Sequence, residues 1–388
     1  MQLAVDYAEK KLTAPLPQKR DLIASTNDAK YVRVAGCDTY SEDVGPDTLD
    51  IIDATDYPPR IVASVVVDTS IVGPPQAVMI TPDQKLAIVA ATNRYDYAKK
   101  CVILENHLQV IDLQAQPPCL LAKVDIGHHP HGLVINKAGD LLLVACTDGV
   151  LVVLGIEGKT LSIQQEIKLS ERRLASVAIT PDGSAALVTL RDDQGVAVLP
   201  IADGKVASVP SQRISTGVAP YAIDISGDGR WAIVGNVGLG GLPSAPGISS
   251  GDQDSATLIN LSQRPFCAVQ YLTVPSIPEG VAISPDNRWI AVLAMDGSNL
   301  PRTNPGRKPQ GQLLLFALSD KGAVEVARQP AGEAAQGVIF SADSRYILAQ
   351  FNVEQQIAVY AVNNGALQDT GTRLPVAGGP SSIRATPR

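Results

Sequence analysis

Along most of the chain, apolar residues fall in short runs separated by polar turns, the pattern of strands rather than helices. One arrangement recurs. "PQAVMITPDQKLAIVAATN" at 75–93, "PHGLVINKAGDLLLVACTD" at 130–148 and "LASVAITPDGSAALVTLRD" at 174–192 each set an alternating run, a turn of Pro-Asp-Gly type and a second apolar run in the same order. "PYAIDISGDGRWAIVGN" at 220–236, "PEGVAISPDNRWIAVLAMD" at 278–296 and "AQGVIFSADSRYILAQFN" at 335–352 repeat it. Each unit predicts a β-hairpin, with the turn residues supplying the reversal. Two further strand-like runs follow, for example "GVLVVLGIE" and "SIQQEIKLS", so the unit predicts four antiparallel strands. That is the sequence form of a propeller blade.

The chain ends complete the ring. "PSSIRATPR" at 380–388 matches only the first strand of the unit, and "KYVRVAGCD" at 30–38 only the second. The C-terminal strand is therefore expected to pair with residues 30–36, in the blade that also holds "TLDIID" and "IVASVVV". The expected architecture is an all-β, seven-bladed propeller over 21–388, with residues 1–20 as an N-terminal extension. Blade 1 takes 21–72 plus 379–388, and blades 2–7 start near 75, 130, 174, 220, 278 and 335. Pairing the two ends leaves no open sheet edge around the ring.

In the form P-x-G-x-x-x-S-P-D-x-R-x-x-x-V, the repeats resemble those of the seven-bladed propellers of the YVTN-repeat and lactonase-like superfamily. The likeness covers nearly the whole chain from about residue 21. It implies the propeller fold. That superfamily includes cytoplasmic sugar-lactone hydrolases, a carboxymuconate-lactonizing branch and surface or periplasmic propellers without known chemistry, so the resemblance implies no single activity. No branch's catalytic residues carry over onto this chain.

Composition agrees with the fold and narrows the partners. Four Phe and two Trp among abundant Val, Ile, Leu and Ala describe a core of small branched side chains, and 32 Gly with 28 Pro supply turns. A net charge of −7 without any run of five Lys or Arg argues against nucleic acid as the main partner. No apolar segment approaches a membrane span, so no membrane partner is expected, and "MQLAVDYAEKKLTAPLPQKR" lacks a signal peptide's apolar centre. The chain as written reads as cytoplasmic, or as periplasmic or secreted if a leader has been removed. Cys37, Cys101, Cys119, Cys146 and Cys267 show no CxxC spacing and are expected as reduced structural thiols.

Propeller geometry converts repeat positions into a ring around one channel mouth. The second position of the inner strands brings Gln76, His131, Ala175, Tyr221, Glu279, Gln336 and Ser381 there. Each is followed by a small residue (Ala77, Gly132, Ser176, Ala222, Gly280, Gly337, Ser382), as crowding at the axis requires. The ends of the second strands add Asp38, Asn93, Asp148, Arg191, Asp192, Asp296 and Asn352. A base candidate, a cation, carboxylates and amides are what a site for a polar small molecule needs, whereas a mouth that is merely wet is the alternative. Long insertions in blades 1, 2, 5 and 6 fall on the same face. They are expected to wall a cleft there, with Arg94, Tyr95, Tyr97, Lys99, Lys100, Arg302 and Arg307 giving it local positive charge.

His128, His129 and His131 stand within four positions, but only His131 is a ring position, and the spacing fits no common zinc motif. A metal site, a catalytic or ligand-binding His131, and a coincidence within the "PHG" repeat stay open. Glu279 with Asn93, Asn352 or Asp148 could supply oxygens to a calcium-type site; no contiguous calcium loop exists, and no cofactor is expected.

Two functions follow. In the first, the protein hydrolyses, or in reverse closes, a lactone or similar cyclic ester of a small anionic molecule. His131 acts as general acid or base, Arg191 as carboxylate or oxyanion anchor, and Glu279 as proton shuttle or partner of His131. Gln76, Asn93, Asp148, Tyr221, Asp296, Gln336 and Asn352 then contact the ligand. In the second, a non-catalytic propeller holds a protein, glycan or metabolite through the loops of blades 1, 2, 5 and 6.

Overall fold

The computed structural model of the chain describes residues 20–34, 37–42, 44–239 and 253–387. Seven antiparallel sheets form its blades. The innermost strands are Gly379–Ala385, Val78–Ile80, Pro130–Ile135, Val177–Ile179, Pro220–Ile225, Pro278–Ile283 and Ala335–Phe340, for blades 1 to 7 in turn. Each touches the next in a closed cycle. Three more strands follow outward in every blade, the fourth of blade 4 being split into Lys205–Val206 and Gln212–Ile214. Among the described residues no helix is long and apolar enough to cross a membrane.

Packing explains the two hydrophobic patterns. A middle strand such as Leu141–Cys146 is covered by the neighbouring blade on both faces, and all six of its residues are buried, so a continuous apolar run is stable there. The outer strand Thr160–Lys168 buries only Leu161 and Ile167 and carries the polar residues. At the axis, a Cβ on Gly132 would stand 2.6 Å from the Ala175 carbonyl oxygen, and one on Gly280 2.6 Å from that of Gln336. At these two positions the glycine after the ring residue is thus required by backbone approach.

The chain ends do close one blade, but with a different partner strand from the one expected. Gly379–Ala385 pairs with Leu22–Asp28, for instance Ile23 with Ala385 and Asn27 with Pro380, and Leu22–Asp28 in turn pairs with Thr48–Asp53. Tyr31–Val34 pairs with Cys37–Tyr40 in a separate hairpin on the mouth face. "LIASTND" escapes a hydrophobic pattern because half of it is polar, yet all seven residues are buried. Their hydrogen bonds are met internally. Thr26 meets Ser381 at 3.0 Å, Asn27 donates to Thr48 and Asp50 at 3.0 and 2.9 Å, and Gln350 donates to Ser25 at 2.8 Å.

Side chains also tie blade to blade. Gln165 donates to the Val206 carbonyl and accepts from its N–H, both at 2.9 Å. Gln212 does the same for Phe266, and Gln270 for Ala323. Gln329 donates to Leu367 at 2.9 Å. Four consecutive joints, from blade 3 to blade 7, therefore use one amide device.

The face away from the mouth is a set of copies. In five turns a Ser or Thr hydroxyl donates to the Asp two residues on at 2.5–2.7 Å: Thr81–Asp83, Thr180–Asp182, Ser226–Asp228, Ser284–Asp286 and Ser341–Asp343. The same hydroxyl accepts from the N–H that opens the next strand, as at Leu86 and Trp231. This is the physical content of the S/T-P-D-G signature. Blade 3 replaces it with Asn136, whose side-chain oxygen accepts from the N–H groups of Gly139, Asp140 and Leu141.

Candidate functional site

Ring side chains from blades 3 to 6 converge at the mouth. His131 is 1% exposed, and its Nδ1 lies 2.9 Å from the Leu174 carbonyl oxygen. A carbonyl only accepts, so Nδ1 carries the proton and Nε2 keeps a lone pair. Burial, then the positive charges of Arg173 and Arg191, hold the imidazole down at about 3. It is neutral across the physiological range. The Tyr221 ring stands edge-on to His131 with centroids 6.0 Å apart, and the Arg191 guanidinium carbon lies 5.1 Å from the Tyr221 centroid. Burial and the Glu279 carboxylate push the Tyr221 phenol well above its usual range, against Arg191, Arg173 and a backbone hydrogen bond from Gly73.

Glu279 is the most perturbed acid of the group. Part of its surface is open to the mouth, yet enough protein surrounds the carboxyl that burial pushes it up to about 8, opposed by Arg191 and then Arg33. Its Oε2 is buried without a hydrogen-bond partner. Asp192 steadies the cations, its two oxygens lying 3.2 Å from Arg191 and 3.5 Å from Arg173. The cover is the connection from blade 1 to blade 2: a Cβ on Gly73 would stand 3.1 Å from His131 Cδ2 and 3.5 Å from Nε2.

The expected trio His131, Arg191 and Glu279 is thus brought together, with Tyr221 among them. Arg191 and Tyr221 are largely covered, only 4% and 7% exposed. Two members were not anticipated. Arg173 is signalled only by the paired arginines of "SERRLASV", and Arg33 is expected as part of the second strand of blade 1, whereas the structure puts it in the separate hairpin.

The other candidates have separate partners. Gln76 reaches from blade 2 to blade 5, donating to the Ile223 carbonyl at 2.7 Å and accepting from its N–H at 3.0 Å, while Ser176 of blade 4 donates to the same oxygen. It is a brace across the channel. Further along the axis, Arg384 of blade 1 meets half-buried Asp224 of blade 5 at 3.5 Å. Gln336 donates to Ala334, and Asn352 to Pro380 of the closing strand. Asp148 pairs with His128 at 2.6 Å, and Asp296 with Lys308 at 2.6 Å. Asn93 accepts from Ser70 at 3.1 Å and leaves its Nδ2 buried and unpartnered. The donors considered for a calcium-type site have separate neighbours, Asn93 at Ser70, Asn352 at Pro380 and Asp148 at His128, while Glu279 keeps an unpartnered oxygen.

The three histidines diverge. His128 turns to Asp148, His129 to the Glu105 carbonyl at 2.9 Å, and His131 to the mouth. With Leu22–Asp28 as the second strand of blade 1, the position assigned to Asp38 belongs to Asp28, which binds Lys30 at 3.1 Å and the Ile71 N–H at 2.8 Å. The side chain of Asp38 lies outside the described residues, as does the blade 5 insertion over 240–252. The local positive charge is reduced by pairing: Arg94 with Glu105 at 2.6 Å, Lys99 with Asp96 at 3.6 Å, Arg307 with Glu333 at 2.8 Å. Cys146 is buried as expected, whereas Cys37, Cys101, Cys119 and Cys267 are exposed. A groove of about 690 Å³ lies between blades 3 and 4 on the opposite face, but its Asp140 and Asp182 are turn caps.

No protein-family model matches the chain, and no curated protein is similar enough to count as a relative. Solved structures are similar in fold. A candidate 6-phosphogluconolactonase from Bacteroides uniformis superposes with a TM-score of 0.67 at 15% identity, over 95% of this chain and 100% of that one. The periplasmic gluconolactonase of Pseudomonas aeruginosa gives 0.67 at 18%, over 94% and 99%. Hydrazine synthase of Kuenenia stuttgartiensis gives 0.61 at 16%, over 81% and 90%. At these identities the likeness shows the seven-bladed fold, and the three names show how different its chemistries are.

Proposed function

We propose that the mouth is the active site of a lactonase-like hydrolase acting on a small anionic cyclic ester. One observation carries the reading: Glu279, held at about 8 by burial, shares the mouth with Arg191, which acts on it and also on the neutral His131. A carboxyl of that acidity exchanges protons near neutrality, the condition for general acid and base work. In the ring opening, Glu279 takes a proton from water as its oxygen adds to the lactone carbonyl. Arg191 and Arg173 stabilise the developing oxyanion. When the bond to the ring oxygen breaks, Glu279 returns that proton to the leaving alkoxide, so lactone and water give one hydroxy acid. His131 is too acidic as imidazolium to be the proton donor; its Nε2 accepts a hydrogen bond and orients water or substrate. The names of the gluconolactonase neighbours support this substrate class.

The test is hydrolysis of a panel of neutral and acidic lactones, corrected for the spontaneous rate, with and without chelator. Turnover is expected to survive the chelator and to fall about 100-fold or more in Glu279→Gln. Acceleration no greater than the blank, or a Glu279→Gln variant as fast as wild type, overturns the reading. The binding-only alternative is favoured by one feature, the near-complete burial of His131, Arg191 and Tyr221. It predicts saturable binding of an acidic lactone without turnover.

A further inference from the structure

The link from blade 1 to blade 2 runs over the mouth as a strap tied at both ends. Upstream it is caged. Lys30 Nζ meets Asp28 at 3.1 Å, Asp47 at 2.7 Å and the Thr69 carbonyl at 2.5 Å, while the Thr69 N–H donates to Asp47 at 3.2 Å and the Ile71 N–H to Asp28 at 2.8 Å. Downstream it is fixed in the ring, where the Pro74 carbonyl accepts from Ser382 Oγ at 3.3 Å and the Pro75 carbonyl from the Ile383 N–H at 3.2 Å. Between these anchors the Val72 N–H turns back to Ser70 Oγ at 2.9 Å, Ser70 donates to Asn93 of blade 2 at 3.1 Å, and Val72 itself is 40% exposed. Gly73 then lies against the Cδ2–Nε2 edge of His131, where a Cβ would stand 3.1 and 3.5 Å from those two atoms and 3.4 Å from Thr92 Oγ1. A side chain at 73 would press on the imidazole, so glycine is what lets the strap lie flat on it.

From this geometry we propose that residues 69–73 are a lid over the mouth, latched by Lys30 and opened for a ligand to reach His131 Nε2. The inference rests on reading the mouth as a ligand site. His131 is 1% exposed, and its two sides differ in what can yield. On the Nδ1 side the ring is bonded to the Leu174 carbonyl at 2.9 Å, and the adjoining Gly132 packs against the backbone of Ala175 and Ser176, so that side is the wall between blades 3 and 4. On the Nε2 side the cover is a few residues of main chain with an exposed middle. Shifting the wall would break the ring, whereas shifting the strap costs the contacts of one short segment. The latch gathers oxygens from three places: Asp28 at the end of Leu22–Asp28, Asp47 just before Thr48–Asp53, and the strap itself. A lid of this kind excludes water while a ligand is held and sets the rate at which the ligand enters and leaves.

The experiment reads His131 without a substrate, through the rate at which diethyl pyrocarbonate modifies each histidine of the folded protein at trace labelling, followed by peptide mass spectrometry. His128 and His129, close in sequence but bonded to Asp148 and the Glu105 carbonyl, are the internal controls. Lys30→Met removes the latch and is expected to speed the modification of His131 about 10-fold or more, the scale of a lost charged hydrogen bond in the closed form, with the controls unmoved. Ser70→Ala cuts the strap from Asn93 and leaves the Lys30 cage whole. It should speed His131 by less, and it decides the matter if Lys30→Met does not fold. An unchanged His131 rate in the folded variants, or an increase shared by His128 and His129, overturns the lid. Selective release of His131 in a protein that hydrolyses no lactone leaves the lid standing and removes the lactonase reading instead.

Discussion

The two faces of the propeller are built from the same repeat and have diverged in opposite ways. On the face away from the mouth, five turns make one hydrogen-bond pattern, Ser or Thr to Asp and strand N–H to Ser or Thr, with every partner supplied within six residues. At the mouth, equivalent positions hold His131, Tyr221, Glu279 and Gln336, and the polar atoms Glu279 Oε2 and Asn93 Nδ2 are buried without partners. Where a repeat is kept, the position serves folding. Where it is broken, and the new side chain is left with unmet bonding capacity, the position is free to serve a ligand.

Gln76 shows the limit of that rule. It breaks the repeat at the mouth, yet both ends of its amide are taken up by blades 4 and 5. Divergence at a ring position becomes a site only when the side chain is not spent on the scaffold.

The comparison can be broken in four places. The largest effect is expected from deleting residues 379–388, which removes the inner strand of blade 1 and the Arg384 contact to Asp224. Loss of cooperative unfolding in a thermal melt is the expected result, and an unchanged midpoint contradicts the closure. Next comes Gln76→Leu, which strands the Ile223 N–H and carbonyl and the Ser176 hydroxyl. Urea titration should show a loss of about 3 kcal/mol or more.

The third prediction concerns pH. Glu279 titrates near 4.5 when unfolded and at about 8 when folded, so between those values the unfolded chain has released a proton that the folded one keeps. Wild-type stability therefore falls as pH rises through that window, and Glu279→Gln removes the loss. His131 runs the other way: from about 6.5 down to about 3 the unfolded chain takes up a proton that the folded one refuses. Stability is lost as pH falls, and His131→Gln escapes it. Melting midpoints measured at both ends of each window check the signs.

The smallest effect is on the copied face. Thr180→Ala and Ser284→Ala should each cost about 1 kcal/mol, add together because they lie in different blades, and leave any turnover untouched. A change in turnover from either would end the division between the faces.

The sequence alone determined the blade count, the hairpin positions, the small residue after each ring position and the four blades with long insertions. These follow from local rules: strand periodicity, turn chemistry and a repeat long enough to be compared with itself. It also picked out His131, Arg191, Tyr221 and Glu279, because propeller geometry turns a repeat register into a ring. Tertiary structure decided the rest. "LIASTND" became the closing partner because Thr26, Asn27 and Ser25 find hydrogen-bond partners in residues such as Ser381, Thr48 and Gln350, which no window around residue 25 contains. Gln76 became a brace and Glu279 a partly buried, unusually weak acid for the same reason. Burial and partner choice depend on which distant blade a side chain meets, and a linear pattern carries no information about that.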